Sequence, residues 1–157
     1  MIQRVQSLYL LGAVIVSIAY SFMPIALFTV NGNSYLVKPL GIFFQEGGEW
    51  TYETPVLALG IVLIFHVLLT LAAIFQFKNR GRQLRLVNLD MILLLIIMGL
   101  QFIVSYDLPE KITESSELTT QYEYWVMIPL ISLLLVFLAR KGIQKDEDLI
   151  KSMDRIR

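Results

Sequence analysis

The chain has 157 residues, 56% of them hydrophobic and 17% charged, against roughly a quarter charged in an average soluble domain. Thirteen Lys and Arg balance thirteen Asp and Glu, with one histidine and no cysteine. This excludes disulfide scaffolds, cysteine zinc sites, iron–sulfur ligation and thiol chemistry. No cofactor and no nucleic-acid partner is implied.

In chain order, the apolar residues fall into four blocks. A helix needs about 20 mainly apolar residues to cross ~30 Å of hydrocarbon. The first block, Leu8–Thr29, is 22 residues without a charge. It exceeds the ~7–15 residues of a signal-peptide core and no A-x-A site follows it, so it reads as a retained span. Ala13, Ser17 and Ser21 give it a small-residue stripe for close helix approach. Pro24 predicts a kink within it.

The first outer loop, 30–54, contains Asn-Gly-Asn and then two short runs, Leu40–Gln45 and Glu49–Glu53, around Gly47-Gly48. These predict a small β-hairpin. Pro55–Phe77 is the second span, 23 residues around His66 with no Asp, Glu, Lys or Arg. The loop 78–85 follows, where Lys78, Arg80, Arg82 and Arg85 are candidates for anionic lipid headgroups.

The third span, Leu86–Ser105, carries Asn88 and Asp90 near its start. In the second outer loop, 106–123, Asp107-Leu-Pro-Glu110 has capping-box spacing and predicts a short helix over Leu108–Leu118. Asp107, Glu110, Glu114, Glu117 and Gln121 would share its face. A solvated acidic surface suits them better than a Ca²⁺ site, which needs 6–8 converging oxygens.

Tyr124–Ala139 is the fourth span, 16 residues with Pro129 inside it. The tail, 140–157, predicts an amphipathic helix from Ile143 onward. Leu149, Ile150, Met153 and Ile156 form its apolar face, a candidate partner-docking surface.

Charge placement gives the threading. Eleven of the thirteen basic residues lie before the first span, in loop 78–85 or after the fourth span, leaving Lys38 and Lys111 on the other side. By the positive-inside rule both termini are cytoplasmic. Trp50, Tyr52, Tyr106, Tyr122, Tyr124 and Trp125 cluster at the outer interface, as aromatic belts do. The expectation is an all-α membrane protein, one integral domain over 1–157. It is a four-transmembrane-helix bundle, N-in and C-in, with a small extracytoplasmic hairpin and a C-terminal amphipathic cytoplasmic helix.

His66 sits at the centre of its span, where an ionisable group is costly and often functional. Ser17, Tyr20 and Ser132 reach its depth and Thr70 lies one turn along, while Gln101 falls too far outward. A proton relay, a haem ligand or a quinone contact are the functional readings. A neutral imidazole hydrogen-bonded to a hydroxyl, worth ~1 kcal/mol, is the structural one and is preferred. One histidine cannot give bis-His haem, and a proton path needs further acids. No H-E-x-x-H, paired mid-membrane acids or Ser–His spacing is found.

The opening Met1-Ile-Gln-Arg4-Val-Gln-Ser-Leu-Tyr-Leu10 and the closing Lys145-Asp-Glu-Asp-Leu-Ile-Lys-Ser-Met-Asp-Arg-Ile-Arg157 resemble an uncharacterised family of small four-helix membrane proteins, domain of unknown function 4293. That family is typical of Bacteroidota. The resemblance implies a bacterial inner membrane and supplies no reaction, cofactor or catalytic residue. The plan of four spans with a hairpin in the first outer loop is also similar to claudin-like proteins, whose loop cysteines are absent here.

The function expected is that of a non-enzymatic accessory or scaffold subunit in a larger envelope complex. Besides the lipid bilayer, its partners would be other membrane or cytoplasmic proteins, or further copies of itself. The alternative is a small transporter or channel, or a lipid- or quinone-binding protein, using the polar site around His66.

Overall fold

A computed structural model describes residues 2–30, 33–112 and 118–154. The first helix, α1 (Ile2–Tyr20), stops well inside the uncharged block that predicted a span to Thr29. A short turn follows, held by bonds such as Met23 N–H to the Tyr20 carbonyl at 3.1 Å. Pro24 has no N–H to continue the helix. Beyond it the chain is extended, and Ala26–Val30 becomes strand β1.

Three more strands follow, β2 (Asn33–Lys38), β3 (Gly41–Glu46) and β4 (Glu49–Pro55). A fifth, β5 (Leu118–Tyr122), arrives much later in the chain. The order is β4-β3-β2-β1-β5 with every neighbour antiparallel. Lys38 pairs with Gly41 and Glu46 with Glu49, so two-residue turns join β2 to β3 and β3 to β4. At the last turn Gly47 and Gly48 have φ of 60° and 91°. Two positive φ values in a two-residue loop suit the twist of a hairpin, and glycine adopts them without steric cost.

The all-α expectation is therefore wrong. The predicted hairpin exists as β3–β4, but as part of a five-stranded sheet. Ala26–Val30 was assigned to a span because an uncharged run reads alike as buried strand or helix. Pairing on both edges, with β2 and β5, settles it as a strand.

The helices α2 (Leu57–Phe75), α3 (Arg80–Ile112) and α4 (Ile128–Asp154) complete the fold, with a 3-10 turn at Tyr124–Met127 before the last. The first helix packs on α2 and α4, and α3 packs on the same two. One hydrophobic core runs from Ala26, Phe28, Val37 and Ile42 in the sheet through Leu63, Leu94 and Ile97 to Val136, Ala139 and Ile143. Leu57–Phe75, Arg80–Tyr106 and Tyr124–Ile150 are each long and apolar enough to cross a membrane. The apolar part of α1, Val5–Tyr20, is shorter. Leu8, Ile15, Phe65, Leu68, Leu95 and Leu134 are all more than half exposed on the outside of the helices. An apolar girdle of that extent suits a membrane protein and would be a liability in water.

Two further expectations change. The helix predicted over Leu108–Leu118 does not start anew: α3 runs on to Ile112, and Leu118 already opens β5. Of the acidic face placed there, Glu114 and Glu117 lie outside the described residues. The tail is likewise no separate helix, because α4 continues unbroken to Asp154. At ~1.5 Å per residue its 27 residues reach ~40 Å, beyond what hydrocarbon alone requires.

A buried polar cluster at the centre of the helices

Each helix buries one stripe, and polar residues occupy regular places in it. On α2 the buried positions include Leu59, Leu63, His66, Thr70 and Ala73, at alternating spacings of four and three. On α3 they are Gln83, Val87, Asp90, Leu94, Ile97, Gln101 and Ser105, and on α1 Gln6, Leu10, Ala13, Ser17 and Tyr20. Ser132, Val136, Ala139 and Ile143 continue the pattern on α4. Such spacing keeps side chains on one helix face, so these polar groups point at one another.

All four helices contribute to the central cluster. His66 Nδ1 lies 2.7 Å from Asp90 Oδ1, and His66 Nε2 lies 2.9 Å from Ser17 Oγ. Ser17 Oγ is in turn 3.0 Å from Ser132 Oγ. Thr70 Oγ1, one turn from His66 on α2, donates toward Asp90 Oδ2 at 2.8 Å and the His66 carbonyl at 2.9 Å. His66, Asp90, Thr70 and Ser132 are fully buried and Ser17 nearly so. Inside a low-dielectric interior an unpaired polar group is costly, and here both carboxylate oxygens and both ring nitrogens have partners. With every polar atom matched, the cluster can remain among apolar helices.

A second tier lies toward the sheet. Tyr20 O–H donates to Gln101 Oε1 at 2.6 Å, and Gln101 Nε2 donates to the Val126 carbonyl at 3.0 Å, at the 3-10 turn before α4. A third lies at the opposite end. Arg80 Nη1 donates to Gln6 Oε1 at 2.9 Å and pairs with Asp146 Oδ2 at 3.1 Å, while Gln6 Nε2 donates to the same Asp146 oxygen at 2.8 Å. Beside it, Arg140 Nε donates to Asn88 Oδ1 at 2.6 Å.

The connectivity Ser17–His66–Asp90 is that of a nucleophile, base and orienting acid. The rest of such a site is not built around it. Ser17 lies within a continuous helix, whose backbone N–H groups are engaged in helical bonds and give no oxyanion donors. Its hydroxyl is shared between His66 and Ser132. Among the described residues no three His, Cys, Asp or Glu side chains converge as metal ligands.

Ser17 meets His66 and holds Ser132 in turn, at the shared depth that the sequence suggested. Tyr20 does not: it turns to Gln101, the residue that sequence reasoning set aside. Asp90 was missed as a member of the cluster, and it is a second buried ionisable group beside His66. Asp90 was placed at the edge of its span on hydropathy alone. The signal that finds it is the stripe, since it stands between Val87 and Leu94 on the buried face of α3.

Of the basic loop, Arg80 is committed to Gln6 and Asp146, and Arg85 Nε donates to the Gly81 carbonyl of its own helix at 3.4 Å. Lys78 and Arg82 are exposed. On the tail Leu149 and Ile150 are 51% and 46% exposed. The Met153 side chain and Ile156 lie outside the described residues.

No curated protein matches the chain. A family profile described as "Domain of unknown function (DUF4293)" matches residues 2–156, nearly the whole length. The chain belongs to the DUF4293 family.

Proposed function

We propose that this chain is a non-enzymatic protein of the bacterial inner membrane that serves as an accessory or scaffold subunit of a larger envelope complex. Both termini are cytoplasmic and the five-stranded sheet is extracytoplasmic. The distribution of Lys and Arg supports this orientation. One observation carries the docking role: Leu149 and Ile150 stand exposed on α4 among Lys145, Asp146, Glu147 and Asp148. A stretch that charged cannot lie in hydrocarbon, so its apolar pair faces water unless a partner covers it. Closure of the central cluster upon itself supports the non-enzymatic reading.

Purification in mild detergent is expected to recover a stoichiometric partner, lost in a variant carrying Leu149→Lys and Ile150→Lys. A monodisperse protein that repeatedly emerges alone would sink the proposal. Orientation has its own test, because the native chain has no cysteine. Cysteine at Gly47 should react with an impermeant thiol reagent from outside intact cells, and cysteine at Gly81 only from inside.

A second reading is a small proton-linked transporter, favoured by the acid found 2.7 Å from His66. It predicts a pH-driven flux in proteoliposomes that His66→Leu with Asp90→Leu abolishes. The scaffold reading predicts that this double variant keeps its partner.

A further inference from the structure

We infer that the α3/α4 face holds one acidic phospholipid, with an acyl chain in an apolar groove and the headgroup on Arg140 and Lys141. The groove, about 490 Å³, is lined by Met91 of α3 and by Leu130, Ile131, Leu133, Leu134 and Phe137 of α4. It opens on the lateral surface of two helices that are each apolar enough to span a membrane, so a hydrocarbon chain is the material that meets it.

What marks one end of this groove is positive charge. Arg140 follows Phe137 by one turn, and Asn88 precedes Met91 by one turn on the facing helix. The 2.6 Å bond from Arg140 Nε to Asn88 Oδ1 fixes the guanidinium across the α3/α4 seam, just beyond the groove. Its two Nη groups are left for an oxyanion, and a guanidinium presents donors in a fork that matches phosphate. The Lys141 ammonium lies 5.7 Å from the centre of the Phe137 ring, beside the groove wall. Among the described residues neither cation is in an ion pair. An apolar channel ending in two uncompensated cations is complementary to a lipid with a charged phosphate head and no compensating amine.

The site differs from the basic stretch 78–85 at the start of α3, where Arg80 already has a carboxylate partner. The inference requires membrane placement and is independent of any protein partner.

Native mass spectrometry can test it, on the detergent-purified full chain titrated with phosphatidylglycerol or phosphatidylcholine. One bound phosphatidylglycerol per chain is expected, preferred over phosphatidylcholine by about thirtyfold, since each basic group near an acidic headgroup contributes about fivefold. Arg140→Gln with Lys141→Gln should abolish the preference, whereas Arg82→Gln, exposed in the first turn of α3, should leave it intact. Leu134→Trp, which fills the groove and keeps both cations, should weaken both lipids together. Equal binding of the two lipids by the native chain would overturn the inference. So would a preference that survives the double variant or disappears with Arg82→Gln. If the double variant does not fold, Leu134→Trp still decides, because unchanged lipid binding there removes the groove from the site.

Discussion

Among the described residues, two acid–base pairs tie the helices together, and they differ mainly in their access to water. His66 and Asp90 meet at 2.7 Å with both side chains fully buried. Arg80 and Asp146 meet at 3.1 Å with side chains 13% and 12% exposed, at the end of the helices away from the sheet. Each links different helices and each is buttressed by an amide or hydroxyl. In the central pair, loss of one partner strands the other in a low-dielectric interior. In the outer pair, a stranded partner can turn toward solvent, so the surrounding packing matters more than the charges.

The largest effect expected is that of Asp90→Leu. It removes the partner of His66 Nδ1 and one of the two acceptors of Thr70 Oγ1, and should cost about 3–5 kcal/mol, the usual range for breaking a buried pair from one side. Chemical unfolding in detergent micelles measures it. Combining Asp90→Leu with His66→Leu should restore stability to within about 1 kcal/mol of the native chain, because Ser17 keeps Ser132 and Thr70 keeps the backbone carbonyl of residue 66. A double variant as weak as the single one would show that the pair does more than satisfy itself.

At the other end the largest loss should come from a residue without charge. A Cβ on Gly142 would lie 2.8 Å from Gln6 Cγ and 3.1 Å from Gln6 Nε2. Gln6 is 3% exposed and bonded to both Arg80 and Asp146, so it has little room to yield. Gly142→Ala should cost about 1–3 kcal/mol, in the range of overpacking a filled site. A neutral or stabilising result would mean that the tie is looser than its geometry.

On the sheet side of the central pair lies the Tyr20 tier. Tyr20→Phe keeps the ring and removes the hydroxyl that donates to Gln101 Oε1, so about 1 kcal/mol should be lost in the same assay. The Gln101 bond to the Val126 carbonyl should survive. Unchanged stability would mean that Gln101 finds another donor.

How much of this was legible in the sequence depends on the range of the interactions involved. The hydrophobic lengths of α2, α3 and α4 are local properties, and they were readable. So was the β3–β4 hairpin, because Gly47-Gly48 sits between two runs of strand-forming residues. The rest of the sheet was hidden by its own apolarity. Ala26–Val30 is as uncharged as the helix before it, and β5 pairs with a strand about ninety residues earlier in the chain. Asn31-Gly32 was the missed cue, since Asn-Gly between apolar runs is a strong short-range hairpin signal. Asp90 was hidden differently. Hydropathy averages a residue over its neighbours, whereas the four-and-three spacing of Val87, Asp90 and Leu94 places it on the packed face.

The comparison is sharpened most finely by Arg80→Gln. The change removes the charge and keeps an amide near Gln6 and Asp146. With some access to water on both sides, the loss should be about 1 kcal/mol, well below that of Asp90→Leu. Salt gives an independent readout. Raising ionic strength from 0.1 to 1 M shortens the screening length from ~10 to ~3 Å, so it should narrow the gap between the native chain and Arg80→Gln. It should leave the gap between the native chain and Asp90→Leu unchanged, because ions do not reach a fully buried pair. Should Arg80→Gln cost as much as Asp90→Leu, and be as indifferent to salt, the outer pair would be as desolvated as the central one. The two regions would then differ in position alone.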